Sequence, residues 1–173
     1  MTKVSQFKDE LADREAIRDC LFRYARGVDR CDVEMLRSAY WEDATDEHLA
    51  FKGTREELIA WMMPIVGSMD QSMHMFGNIL IRIDGDTAHA ESYFYGFHRI
   101  RGEDGVPRDS IAGGRYLDRF EKRDDEWRIA DRVVMTDWFR DYPDSADWAR
   151  GPFGMQVEPG GRYPQDRSYG FLK

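Results

Sequence analysis

The sequence has few of the residues that mark disulfide frameworks, membrane spans or nucleic-acid surfaces. Its two cysteines, Cys20 and Cys31, form neither a C-x-x-C pair nor a disulfide framework. No apolar run approaches the ~18 residues of a membrane span, and the opening stretch MTKVSQFKDE lacks the apolar segment of a signal peptide. A formal net charge of -8 disfavours nucleic acid, whose phosphates would repel an acidic surface. We therefore expect a cytoplasmic enzyme or binding protein that binds neither a membrane nor a nucleic acid.

Several catalytic motifs are also missing. The sequence contains no G-x-S-x-G elbow, no Walker motif and no G-x-G-x-x-G after a predicted strand. Asp29, His48 and His74 carry side chains that can bind a metal, but no H-x-x-x-H or H-x-H spacing accompanies them. We expect neither a metal nor an organic cofactor.

The first part of the chain carries helical signals. Capping residues predict a helix over 13–28, a second over 32–40 and, after a short strand at 44–51, a third that opens with a capping box at Thr54–Glu57. The residues before this first helix are polar, and we expect them to fray or to lie on the surface. The 173 residues suffice for one domain with a substantial core.

The period of the apolar residues then changes from 3.6 to 2. Isoleucines alternate over 79–83 and lead into Asp84-Gly85-Asp86, a strong hairpin signal. Further strands are predicted over 88–101, 111–122 and 126–139. Helices followed by a meander predict an α+β fold, in which a strongly curved antiparallel sheet wraps the N-terminal helices and leaves a cavity between them.

The end of the chain differs in composition. From Tyr142 onward it is rich in proline, glycine and aromatic residues, and it is too aromatic for a plain flexible linker. We expect the domain to span residues 1–141 and an arm, residues 142–173, to close the cavity or to cross onto a neighbouring subunit. The arm and the outer face of the sheet need covering, which predicts a homo-oligomer.

The first helix aims two candidate catalytic groups at the interior. Tyr24 lies near the middle of the apolar stripe and Asp29 lies just off its edge, while His74 lies at the beginning of the first long strand. If the three converge, the aspartate orients the imidazole as a general base, and the phenol donates to a leaving hydroxyl or an oxyanion. The residues alone leave a purely structural role for Asp29 and His74 equally open.

Five further residues are candidates for binding a substrate. His48 on the short strand and His98 on the aromatic strand can face the cavity. Arg115 is expected to be a buried cation that seeks an anionic partner. Arg132, which alternates with Val134 and Trp138 on the last strand, can bind a substrate oxygen or pair with Asp29. For both arginines a salt bridge within the barrel is an equal alternative.

Three segments carry a family resemblance. They are Tyr24-x4-Asp29 on the first helix, Ser72-Met73-His74 before a strand, and GGRYLDRFEKRDDEWRI at residues 113–129. Over residues 10 to 140 the chain resembles the SnoaL-like branch of the nuclear transport factor 2-like superfamily. The resemblance implies a cone-shaped α+β barrel.

The resemblance also implies a chemistry. The pattern is similar to that of the bile-acid 7α-dehydratase, scytalone dehydratase and hexachlorocyclohexane dehydrochlorinase families, which are cofactor-free lyases. By this resemblance Asp29 and His74 form the dyad that takes a proton, Tyr24 matches a catalytic tyrosine, and Arg132 matches the arginine of the dehydrochlorinase. Gly96 departs from the pattern, because the bile-acid enzyme carries an acidic residue there.

The function expected from these observations is elimination without a cofactor. The substrate is a hydroxylated aromatic, polyketide or steroid-like small molecule that loses water or, for a lignin-derived aryl diol, formaldehyde. An isomerase or polyketide cyclase of the same fold is the nearby alternative. A ligand-binding protein or the small structural subunit of an oxygenase is the alternative without catalysis.

Overall fold

The computed structural model describes residues 3–143, 151, 154–155 and 158–172 of the chain. Helices come first and long strands follow, as the sequence predicts. The elements are α1 (Lys3–Arg30), α2 (Val33–Ser38), β1 (Tyr40–His48), β2 (Phe51–Thr54), α3 (Arg55–Ser68), β3 (Gln71–Asp84), β4 (Thr87–Arg101), β5 (Pro107–Arg123), β6 (Glu126–Pro143) and α4 (Ser168–Phe171).

The strands form one curved, unclosed sheet of six in the order β2-β1-β6-β5-β4-β3. The predicted α+β class and the meander from β3 to β6 are confirmed. Asp124 and Asp125 both take positive φ angles, of 51° and 64°, which suits the tight turn between β5 and β6. One pairing differs from the predicted antiparallel sheet, because β1 runs parallel to β6.

Two helix caps are confirmed at the predicted residues. Asp32 accepts a hydrogen bond from the backbone N–H of Met35 at 3.0 Å and caps α2. Thr54 and Glu57 form the complete capping box of α3. Each of these caps joins residues that lie within one helical turn of each other.

Other boundaries were predicted wrongly. The first helix begins at Lys3, so the chain before residue 13 is helical. Asp13 does not cap it, since its carboxylate accepts from the indole N–H of Trp127 at 2.8 Å and pairs with Lys122. The single strand predicted at 44–51 is two strands, β1 and β2, which pair with each other.

The core lies between the concave face of the sheet and one face of α1. The large hydrophobic side chains that these two layers bury fully are Ile17, Leu21, Tyr24, Val28, Tyr40, Tyr116, Phe120, Trp127 and Ile129. Burial of such side chains contributes roughly 1.5–3 kcal/mol each, so this layer fixes α1 on the sheet. No helix in the described part of the chain is long and apolar enough to cross a membrane.

The final described stretch, residues 158–172, packs against the C-terminal end of α1. The backbone N–H of Tyr163 donates to the carbonyl of Arg30 at 2.7 Å, and the hydroxyl of Tyr169 donates to Asp32 at 2.8 Å. Arg26 lies 4.4 Å over the ring of Tyr169. Much of the expected arm, including residues 144–150, lies outside the described residues.

Candidate active site

Asp29 and His74 are in direct contact. The Nδ1 atom of His74 lies 2.7 Å from Oδ1 of Asp29, and the backbone N–H of His74 donates to Oδ2 at 2.7 Å. Burial alone raises the pKa of the Asp29 carboxyl, but its hydrogen bonds with His74 and the charge of His74 outweigh burial and hold that pKa below its usual value. The carboxylate therefore stays ionised and orients the imidazole.

Two elements that are separated in the sequence, α1 and β3, bring this pair together. Asp29 lies in the last turn of α1, and Cys31, with a φ of 52°, directs the chain away from the helix axis. His74 lies near the beginning of β3, where it is paired with Gly96 of β4. Because an aspartate Oδ1 accepts from Nδ1–H, the second nitrogen of the imidazole, Nε2, carries the free lone pair.

Tyr24 lies one and a half turns before Asp29 on the same helix. Its side chain is buried, with its ring edge-on to Tyr40 and Tyr116 at centroid distances of 6.0 and 5.6 Å. Burial raises the pKa of the Tyr24 phenol to about 12, although the nearby charge of Arg132 opposes the rise. The phenol is therefore protonated at neutral pH and is able to donate a hydrogen bond.

A cavity of about 550 Å³ opens between α1, α3 and the concave face of the sheet. Tyr24, His48, His74 and His98 all line it, as the sequence predicts. Most of the remaining wall is apolar. That wall includes Val28, Trp61, Met62, Ile65, Phe94, Ile100, Ala112, Val134 and Phe139, with Ser110 and Thr136 as further polar residues.

His98 lies beside the dyad. Its ring meets the ring of His74 edge-on, with centroids 5.1 Å apart. Burial, together with the proximity of His74 and His48, lowers the pKa of His98 to about 4. His98 is thus a neutral imidazole at physiological pH, suited to hydrogen bonding with a substrate oxygen.

His48 reaches the cavity from β1, on the other side of Trp61. Its ring centroid is 6.1 Å from that of Trp61, which in turn stacks on Phe51 at 5.2 Å. Asp46, two residues earlier on the same strand face, lies next to it, with 3.5 Å between Oδ1 and Nδ1.

Arg132 is buried behind the cavity and does not line it. Its guanidinium binds Asp118 through two hydrogen bonds of 2.6 and 2.8 Å and lies over the rings of Tyr24 and Tyr116 at 4.1 and 4.3 Å. Arg132 does not lie at the cavity wall, where it could bind a substrate oxygen, and its carboxylate partner is not Asp29. The salt bridge within the barrel is the alternative that holds, with Asp118 as its partner.

Arg115 and Trp138 also differ from the prediction, because both lie on the outer face of the sheet. Arg115 is not a buried cation: its side chain is 30% exposed and pairs with Asp137 at 3.1 Å. Trp138 is 45% exposed and packs over Gly113, where a Cβ atom would lie 2.5 Å from the indole. A β-bulge places Trp138 on the outer face, since Gly113 pairs with Trp138 while Gly114 pairs with Thr136.

The same bulge supplies residues that the sequence alone did not indicate. Asp137 lies between Thr136 and Trp138 and is not matched with a residue of β5 in the strand register. Thr136 and Phe139 therefore both line the cavity, although they are three residues apart. Strict alternation would have placed them on opposite faces. Trp61 of α3, which no motif in the sequence marked, lines the cavity too.

The arrangement suits proton transfer in a mostly apolar cavity. An oriented imidazole is available as a base, while a neutral imidazole and a neutral phenol are available as hydrogen-bond donors. Among the described residues, no three His, Cys, Asp or Glu side chains form a group placed to hold a metal ion.

Arg162, from the C-terminal stretch, joins the segments that carry the dyad. Its guanidinium donates to the backbone carbonyl of Asp29, to the hydroxyl of Ser72 at 2.8 Å, and to the carbonyls of Val66 and Met69 at 3.2 and 3.1 Å. It therefore ties the end of α1, the end of α3 and the beginning of β3 together behind the cavity.

Comparison with curated proteins finds relatives without an assigned activity. An uncharacterised protein of Mycobacterium tuberculosis (strain ATCC 25618 / H37Rv) is 28% identical over 129 residues, which cover 72% of this chain and 85% of that protein. The terrestric acid biosynthesis cluster protein E of Penicillium crustosum is 28% identical over 148 residues, or 80% of this chain and 89% of that protein.

Comparison with solved structures shows the fold. A putative scytalone dehydratase from Novosphingobium aromaticivorans superposes with a TM-score of 0.69 at 22% identity, covering 92% of this chain and 98% of that chain. A type 2 hexachlorocyclohexane dehydrochlorinase superposes with a TM-score of 0.68 at 21% identity, covering 88% and 97% of the two chains.

The family follows from the sequence match. The model of the SnoaL-like domain matches residues 9–133, well over half of the chain. The three segments from which the resemblance was inferred lie within this match. This protein is a member of the SnoaL-like domain family, within the nuclear transport factor 2-like superfamily.

Proposed function

We propose that this protein is a lyase that eliminates a small group from a hydroxylated organic molecule without a cofactor. The observation that carries the proposal is the contact of Asp29 with His74 at the wall of a cavity of about 550 Å³. Structural neighbours whose names indicate a dehydratase and a dehydrochlorinase support the choice of reaction class. Fold alone does not decide between reactions, so the proposal depends on the residues of the site.

The proposed reaction begins at Nε2 of His74. This nitrogen takes a proton from a carbon of the substrate, and Asp29 stabilises the imidazolium that forms. The electron pair of the broken C–H bond forms the new double bond as the leaving group departs from the neighbouring carbon. For an aryl diol the base takes the proton of a hydroxyl instead, and the electron pair of the O–H bond forms the carbonyl of formaldehyde as the C–C bond breaks. The electron pair of the C–C bond stays on the remaining carbon, which takes the proton back from the imidazolium of His74, so formaldehyde is the only group lost.

Tyr24 is proposed to assist the departure. With its pKa raised to about 12, the phenol stays neutral and donates a hydrogen bond to a leaving hydroxyl or to a developing oxyanion. His98 is proposed to bind a substrate oxygen as a neutral imidazole beside His74. The proposal assigns Arg115, Arg132 and Trp138 no contact with the substrate, since none of them lines the cavity.

The cavity favours a bulky, flat substrate. A volume of about 550 Å³ is within the range of roughly 300–1,000 Å³ typical of small-molecule sites, and aromatic and methionine side chains provide much of its wall. We propose a hydroxylated aromatic, polyketide or steroid-like molecule, with water as the first choice of leaving group. Formaldehyde from a lignin-derived aryl diol is the second choice.

We also propose that the protein is a homo-oligomer. Apolar side chains lie exposed on the outward side of the strands, among them Met75, Tyr93, Tyr95 and Trp138. A second copy of the chain would bury them. Light scattering on the wild type and on Trp138→Glu tests this, with an oligomer and a smaller species as the expected results.

The proposed activity is tested by a mass-spectrometric screen against hydroxylated aromatics, aryl diols and steroids. Asp29→Asn is screened alongside, and Asp19→Asn, an exposed aspartate of the same helix, serves as the matched control. We expect a product lighter by water or formaldehyde with the wild type and the control, and none with Asp29→Asn. A product of unchanged mass would instead indicate an isomerase or cyclase, and no turnover by any of the three proteins would contradict a lyase.

A further inference from the structure

A second aspartate–histidine pair lies at the cavity wall, on β1. Asp46 is fully buried and the side chain of His48 is 15% exposed, with 3.5 Å between Oδ1 of the aspartate and Nδ1 of the histidine. Within the described residues, neither of these two buried atoms has a hydrogen-bond partner. Buried polar atoms without partners are uncommon, and the distance between these two atoms is only slightly longer than a hydrogen bond.

The charges around Asp46 leave a place for a cation. Its other oxygen, Oδ2, accepts a hydrogen bond of 2.7 Å from the hydroxyl of Tyr40, which is a neutral donor. The buried guanidinium nearby, Arg132, is committed to Asp118 through two short hydrogen bonds. Asp46 and Asp118 are thus two buried carboxylates with one guanidinium nearby, and His48 is the side chain beside Asp46 that can carry a second positive charge.

The rest of the His48 ring faces the cavity. Its Nδ1 is shielded from solvent while the side chain lines the cavity, so the exposed part of the ring lies on the other side from Asp46. Contact with Trp61 and the stack of Trp61 on Phe51 hold the ring in this orientation. His48, His74 and His98 all line this cavity, so the three imidazoles lie around one space.

We propose that His48, positioned by Asp46, is the general acid that protonates the leaving oxygen; this inference rests on the proposed lyase function. His74 takes the proton from the substrate carbon, the electrons of the C–H bond form the double bond, and the C–O bond breaks. The departing oxygen takes the proton of the His48 imidazolium and leaves as water. His74 then holds one proton more and His48 one fewer, and transfer through solvent after product release restores both.

The test compares two leaving groups on one carbon skeleton. The substrate found in the screen is paired with its analogue in which chloride replaces the leaving hydroxyl, because chloride departs without a proton. The proteins are the wild type, His48→Gln, Asp46→Asn, Asp29→Asn and His89→Gln, the last replacing an exposed histidine at the far end of β4. Thermal melting verifies that each variant is folded.

We expect His48→Gln to lower kcat roughly 10²- to 10³-fold on the hydroxyl substrate and less than about threefold on the chloride. Asp46→Asn should show the same selectivity and provides an independent reading should His48→Gln fail to fold. Asp29→Asn should slow both substrates, and His89→Gln neither. Equal losses on both substrates, or none, with His48→Gln and Asp46→Asn would overturn the acid role. If Asp29→Asn retains full activity on both, the proposed lyase function itself fails.

Discussion

Asp29 holds His74 through both of its carboxylate oxygens, one on the ring at 2.7 Å and one on the backbone N–H at 2.7 Å. The second contact fixes the position of the strand relative to the helix, so the ring contact does not depend on the side chain alone. The substitution Asp29→Asn keeps the shape of the side chain, but its NH₂ group faces one of the two N–H donors of His74. The pair is therefore sensitive to the loss of a single oxygen acceptor.

Gly96 leaves the reactive side of His74 open. A Cβ atom built there would lie 3.1 Å from Cε1 of His98 and 3.4 Å from Nε2 of His74. We expect Gly96→Ala to lower kcat/KM by about 10- to 100-fold, because displacing a positioned group by a fraction of an ångström has effects of this order. Steady-state kinetics measure it.

The control for this substitution is Gly77→Ala on β3, where an added Cβ meets nothing within 4 Å. Both changes put an alanine into a long strand, so they affect the backbone alike. Similar kcat/KM values for the two variants would contradict a role for the space beside His74.

The lowered pKa of His98 predicts that the folded protein loses stability as the pH falls. Its pKa is about 4 in the folded protein and about 6.5 when unfolded, so between these values the unfolded chain binds a proton that the folded protein does not. The free energy of unfolding should therefore fall as pH drops from 6.5 towards 4, by roughly 3 kcal/mol from this residue. Urea unfolding at several pH values measures the fall.

The comparison that isolates His98 uses two variants. His98→Gln should lose much less stability over this pH window than the wild type, while His89→Gln, at an exposed position, should follow the wild type. An unchanged pH dependence in His98→Gln would contradict the burial of a neutral imidazole.

Arg162 is expected to stabilise the contact between the end of α1, the end of α3 and the beginning of β3. Arg162→Met removes hydrogen bonds to the carbonyl of Asp29, the hydroxyl of Ser72 and the last carbonyls of α3. We expect a loss of about 2–4 kcal/mol in the free energy of unfolding, because hydrogen bonds to charged groups are worth roughly 1.5–3 kcal/mol each and their effects overlap. Thermal and urea unfolding measure it.

Arg167→Met serves as the control, since Arg167 is exposed in the same stretch. Arg162→Lys should recover part of the loss, as one ammonium reaches fewer acceptors than a guanidinium does. Equal stability of Arg162→Met and Arg167→Met would contradict the role given to this contact.

Local signals in the sequence were sufficient for much of the fold. The caps at Asp32 and Thr54 are set by residues within one helical turn, and the periodic stripe of α1 indicated that Tyr24 faces the cavity. The convergence of Asp29 with His74 is a contact across 45 residues. It was inferred from family resemblance and helix geometry together, not from local pattern alone.

Strand register and β-bulges could not be predicted from the sequence. The bulge at Gly113/Gly114 turns Trp138 outward, and one extra residue in a strand changes the face of every side chain after it. The partner of Arg132 could not be selected either, because it depends on the pairing of Asp118 with Arg132 between β5 and β6. The length of α1 was underestimated since the polar residues of its first turns were expected to fray, although Val4, Phe7 and Leu11 recur there at helical spacing.

The most direct measurement is the turnover of Asp29→Asn, His74→Gln and the double variant on the substrate found in the screen. Because the two residues act as one unit in the proposed reaction, each single variant should lose roughly 10²- to 10⁴-fold in kcat, and the double variant should be no slower than the slower single one. Single variants within twofold of the wild type, or losses that multiply in the double variant, would contradict a functional Asp29–His74 pair.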